Sequence, residues 1–130
     1  MASWNDVVNF LNENYTLDED DDEDIPSITF DVGDNRIQTV MFIPLEDENN
    51  NVWLEILSPI GKVNYKYIDD ILEYLERQIC GGLVKIKENY YIRHTMPIDD
   101  LSTEELVSPM EQIALIADVI EEKFVGEDNF

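Results

Sequence analysis

Apolar residues recur along this chain with two periods, and the alternation between those periods orders its elements. Trp4, Val7, Val8, Leu11 and Tyr15 fall at i, i+3, i+4, i+7 and i+11, the stripe of a one-sided helix. Ser3 stands where an N-cap belongs, and Asp6 suits the positive end of the helix dipole. The stripe returns from Tyr67 to Ile79 as Ile68, Ile71, Leu72, Leu75 and Ile79. Asp69, Asp70, Glu73, Glu76 and Arg77 occupy the opposite face, and Gly81-Gly82 supply a stop. A third stripe holds Ile113, Ile116, Ala117, Ile120 and Phe124. Its approach carries two start signals: Ser102 with Glu105 as a capping box, then Ser108 as a cap before Pro109. An interior proline removes a hydrogen bond and clashes with the preceding turn. The pattern therefore predicts a short helical turn over 102–107 and a longer helix over 109–124.

Between these stripes the period falls to two. Ile28, Phe30 and Val32 alternate with Thr29 and Asp31, and Gly33-Asp34-Asn35 is a turn. Arg36 to Leu45 is a second strand, and the polar turn Asp47 to Asn51 leads into a third, Val52 to Leu57. Pro59-Ile60-Gly61 ends that run. Leu83 to Lys87 and Tyr90 to Met96 flank Glu88-Asn89 as a hairpin. The predicted order is α-β-β-β-α-β-β-α, an α+β arrangement with antiparallel pairing across the short turns. No internal repeat or linker divides residues 1–130, so they read as one domain.

If helices cover one sheet face only, the other should be polar, and it is not entirely so. Ile37, Met41, Ile43 and Leu45 share one side of the second strand, with Val40 and Phe42 on the other. Val52, Leu54 and Ile56 oppose Trp53 and Leu57. Tyr90, Ile92, His94 and Met96 oppose Tyr91, Arg93 and Thr95. Apolar groups on both sides imply that the second face is covered by part of this chain, by a second copy, or by another protein. Val40, Phe42, Trp53, Leu57 and Tyr91 are the candidate partner-binding residues.

Charge narrows the choice of partner. The chain has 30 acids, 8 bases and a net charge of -22. That balance argues against a nucleic-acid binder and against docking on anionic membranes. With 44% hydrophobic residues, a packed core is expected despite the charge. The net negative charge concentrates toward the N-terminal half, where Arg36 is the single base among residues 1–60. Asp18 to Asp24 are consecutive acids and read as a solvated loop, with a loose cation site or an electrostatic docking arm as alternatives. A calcium loop needs spaced acids around a glycine turn, and no glycine falls in this run. No apolar run approaches the roughly 20 residues of a membrane span, and no basic-then-apolar leader opens the chain. One cysteine fits a reducing cytoplasm.

Catalytic signatures are missing. His94 is the only histidine and lies on a strand, where a structural role is expected. Cys80 has no basic sequence neighbour to favour a thiolate. Gly81-Gly82 lacks the remaining glycines and the lysine of a phosphate loop. Asp69-Asp70, Asp99-Asp100 and Glu104-Glu105 are adjacent acids with no need to converge on a reaction centre. No catalytic residue, metal or cofactor is expected.

The element order, in a small acidic chain, resembles the class I type III secretion chaperone fold. Residues 89–124 (NYYIRHTMPIDDLSTEELVSPMEQIALIADVIEEKF) look more specifically like the YbjN-like family of bacterial proteins. The similar features are the strand Tyr90 to Met96, the Met96-Pro97 corner, Asp100-Leu101-Ser102 before Glu104-Glu105-Leu106, and a last helix with Ala117-Asp118. The resemblance implies a five-stranded antiparallel sheet packed on helices, commonly a homodimer, and for the chaperones a protein client bound without nucleotide. It carries over no catalytic residue. The expected function is a noncatalytic, cytoplasmic protein-binding module. An acidic inhibitor or nucleic-acid mimic acting on a basic protein stands as the alternative.

Overall fold

The computed structural model describes residues 3–18 and 25–125. Helix α1 (Trp4–Asn14) precedes three strands, β1 (Ser27–Gly33), β2 (Arg36–Glu46) and β3 (Val52–Gly61). A 3-10 turn at Tyr65–Tyr67 runs into α2 (Ile68–Glu76). Then come β4 (Gly82–Ile86), β5 (Asn89–Pro97) and α3 (Thr103–Ile120), which ends in a π-helical turn, Glu121–Val125. The strands form one antiparallel sheet in the order β1-β2-β3-β5-β4. The α+β class and the element order agree with the periodicity.

Local chemistry explains most boundaries. Ser3 and Asp6 form a reciprocal capping box on α1, and Ser102 and Glu105 form another on α3. Asp34 and Asn35 take φ of 52° and 61°, the left-handed pair that a tight hairpin between twisted strands requires. Gly33 before them sits at φ 97° beside a register shift.

Three boundaries depart from the sequence pattern. Helix α3 runs unbroken through Pro109. The proline removes one hydrogen bond, to the carbonyl of Glu105, while Leu106, Met110, Ile113 and Ala114 keep a single buried face across it. Packing outweighs the lost bond. Helix α2 stops at Glu76, because the amide of Arg77 turns back to the Tyr74 carbonyl at 3.2 Å and tightens the last turn. Ile79 therefore leaves the stripe and is exposed. Strand β3 continues past Leu57 through Pro59, and a register shift between Pro59 and Gly61 accommodates the missing amide hydrogen.

All three helices pack on one face of the sheet. Val7 and Leu11 of α1, Ile71 and Leu75 of α2, and the α3 residues Leu106 to Ile120 on its buried side form one cluster with Ile28, Val40, Phe42, Leu54, Ile56, Ile92 and Met96. A polar notch interrupts this face: Gln38 Nε2 donates to Ser58 Oγ at 2.9 Å and to the Pro59 carbonyl at 2.8 Å. Ser58 Oγ in turn donates to the Thr39 carbonyl at 2.7 Å. Arg36 ties the β1–β2 hairpin to the end of α3, its Nε donating to Asp118 Oδ1 at 2.8 Å.

Of the acidic run, residues 19–24 lie outside the described residues. Asp18 is held on the sheet edge: its amide donates to the Ser27 carbonyl, and its Oδ2 accepts from Ser27 Oγ and Thr29 Oγ1, each at 2.9 Å. Among the described residues no helix is long and apolar enough to cross a membrane.

Candidate functional site

The second sheet face is built by register. Pairing between β2, β3 and β5 sets Met41, Leu57 and Arg93 in one row across the sheet. Ile43, Glu55 and Thr95 form the next, and Leu45, Trp53 and Pro97 the third. On the other side of the first row, Pro59, Tyr91 and Val84 line up across β3, β5 and β4. Side chains alternate between faces along each strand, so these rows point away from the helices. None of Met41, Ile43, Trp53, Leu57 or Tyr91 belongs to the helix-packed core or to the half-buried residues against it.

The five candidates from the sequence divide between the two faces. Trp53, Leu57 and Tyr91 lie together on the open face. Val40 and Phe42 do not join them: both are fully buried under the helices, opposite Ile28 and Ile56 respectively. The correction follows from register, since Phe42 opposite Ile56 places Met41 opposite Leu57. The residues that take their place are Met41, Ile43 and Leu45, with exposed Ile37 further along β2. Their common side was readable from the alternation in β2. Its relation to the neighbouring strand was not.

Within these four rows the charged residues are Glu55 and Arg93, and they pair, Nη1 to Oε2, at 3.3 Å. The Glu55 side chain retains 10% exposure and that of Arg93 44%. Leu57 sits beside this pair, between Met41 and Arg93, and is only 2% exposed although no described helix covers it. The aliphatic stem of an arginine serves as such a cover while its charge stays wet. Thus a chain of charge -22 presents a strip that is apolar and internally neutral.

Trp53 is the best-fixed aromatic side chain on this face. Its Nε1 donates to Asp47 Oδ2 at 3.0 Å. Asp47 Oδ1 accepts from the amides of Asn49 and Asn51, at 2.8 and 3.0 Å, closing the β2–β3 turn. The Trp53 bond, and then the Asn51 amide, hold the Asp47 carboxyl below its ordinary range. Leu45, Glu46, Asp47, Trp53 and Thr95 line an open groove of about 260 Å³.

The two groups with potential reactivity lie elsewhere. His94 pairs with Ile56 on the covered face, and burial lowers its pKa from the usual imidazole value. Cys80 packs half-buried against the core, and burial raises its thiol pKa, disfavouring the thiolate. Among the described residues, no three His, Cys, Asp or Glu side chains gather as metal ligands. The chain matches no protein-family model and none of the curated proteins with which it was compared.

Proposed function

We propose that this chain is a noncatalytic protein-binding module that docks a partner segment on the open sheet face, around Trp53, Leu57 and Tyr91 with Met41, Ile43 and Leu45. The observation that carries this reading is the apolar strip on the face opposite all three helices. Leaving such a strip against water is unfavourable, whereas covering it with another protein releases that water at roughly 25 cal/mol per Å². An extended segment suits it, because the rows offer side-chain slots at strand spacing. The acidic coat favours encounter with a basic or partly unfolded segment. A cytoplasmic setting, a homodimer, and an affinity with YbjN-like or secretion-chaperone-like proteins belong to the same proposal, supported by the element order and the resemblance of residues 89–124. The proposal includes no nucleic acid, membrane or cofactor.

The test is affinity capture from native lysate at low and moderate salt, with the wild type and a Trp53→Asp, Tyr91→Asp variant checked for folding by circular dichroism. The expected result is a partner retained in moderate salt by the wild type and lost by the variant. A folded variant that keeps every partner overturns the site. Binding that collapses by orders of magnitude in moderate salt supports the acidic mimic instead, because exposed charge contacts are screened. Sedimentation of the purified chain measures the dimer.

A further inference from the structure

We propose that the turn closing α3, Glu121–Val125, is a pH-gated latch that stays shut while Glu121 carries a proton and opens when that carboxyl ionises. The turn docks through Phe124 and Val125, which pack half-buried against the core, and the Phe124 ring lies 6.1 Å from that of Tyr67. These two residues also wall a surface groove with Val63, Lys66 and Tyr67, so opening the turn uncovers that groove. Four charged groups crowd the start of the turn, and Arg36 of β2 is the one cation among them. Its Nε donates to Asp118 Oδ1 at 2.8 Å and lies 3.9 Å from Glu122 Oε2, while Nη2 donates to the Asp118 carbonyl at 3.4 Å. The Asp118 side chain is only 12% exposed, which commits Arg36 to it. The other cations around the turn are engaged elsewhere: Lys62 with Glu88, Lys66 over the Tyr67 ring, and Lys123 over the Tyr74 ring.

Glu121 is therefore the third carboxylate around a single guanidinium. Burial, then the Asp118 charge, raise its carboxyl to about 7 against the pull of Arg36. With Glu121 neutral, Arg36 and Asp118 balance and the turn stays packed. Once ionised, a half-buried carboxylate has no cation to itself, and unwinding the turn is the direct way to give it water. Opening returns the group to its ordinary value of 4.5, so deprotonation favours the open form. Values of about 7 closed and 4.5 open make opening about tenfold more frequent at pH 8 than at pH 6.

The test is amide hydrogen exchange of the full chain at pH 6 and pH 8, read residue by residue by NMR and corrected for the intrinsic rate at each pH. Protection of residues 122–125 is expected to fall about tenfold between the two in the wild type. It should stay level in Glu121→Gln, and the α1 amides of Val8 and Leu11 should stay level in both proteins. Unchanged protection of the turn in the wild type overturns the latch. So does a fall that persists in Glu121→Gln, which assigns the titration to another group. An equal fall in α1 also overturns it, because the opening is then global. A carbon-13 titration of the Glu121 side chain in the wild type keeps the test decisive if Glu121→Gln does not fold: a midpoint near 7 supports the latch, and one near 4.5 overturns it.

Discussion

The two faces of the sheet use similar residues toward opposite ends. On the covered face, Val40, Phe42, Leu54, Ile56 and Ile92 are fully buried, because α1, α2 and α3 supply a second layer. On the open face Met41, Ile43, Trp53 and Tyr91 remain half-buried, with no described helix packed over them. Leu57 is only 2% exposed even so. The comparison teaches that apolar content does not separate a core from a docking surface. What separates them is whether a second layer of the same chain arrives.

That difference should appear first in stability. Phe42→Ala removes a fully buried ring and is expected to cost about 3–5 kcal/mol in urea unfolding. Trp53→Ala, though larger in volume change, should cost about 2 kcal/mol or less, since its ring is only half-buried. Equal losses would break the comparison and make the open face a second core. The Glu55–Arg93 pair offers a sharper probe. Arg93→Met leaves the Glu55 carboxylate nearly buried without its cation, an expected loss of about 1–2 kcal/mol, discounted because Arg93 is partly solvated. Pairing it with Glu55→Leu should recover most of that loss, measured as a double-mutant cycle.

The pH responses of the two sides should differ in sign. At the end of α3, burial and the nearby Asp118 charge raise the Glu121 carboxyl to about 7, against the opposing pull of Arg36. The folded state then holds a proton that the unfolded chain, near 4.5, has released. This contribution to stability is full below about 4.5 and is lost as pH rises through about 7. Urea midpoints should therefore fall over that window, and Glu121→Gln should flatten the fall. Asp47, beside the open face, behaves oppositely: its lowered carboxyl contributes above the ordinary carboxylate range and loses that contribution as pH drops through the folded value. The smallest effect expected is spectroscopic. Asp47→Ala should shift Trp53 emission, read in a Trp4→Phe background, with little change in circular dichroism; unchanged emission would mean the indole is held by packing instead.

Several features of the molecule were legible in the residues. Ser102 with Glu105 announced the capping box of α3 and Ser3 the N-cap of α1, because a cap needs only chemistry a few residues apart; that Asp6 closes a second box with Ser3 came from the structure. The alternation in β2 separated Met41 and Ile43 from Val40 and Phe42, because a strand's two sides follow from its own geometry. The stop at Pro109 was misread for the converse reason. A local penalty was visible, while the tertiary packing that keeps Leu106 and Met110 in one buried stripe was not.

The candidate site illustrates the same boundary. Sequence alone determined that this acidic chain has apolar groups on both sides of its strands, and that Trp53, Leu57 and Tyr91 are among them. Only the tertiary structure decided that the three share a face with Met41, and that Val40 and Phe42 lie beneath α3's layer. Period-2 patterning is a property of one strand, but the phase between strands is set by cross-strand register, where a shift of one residue exchanges the faces. The helices then chose which face became the core.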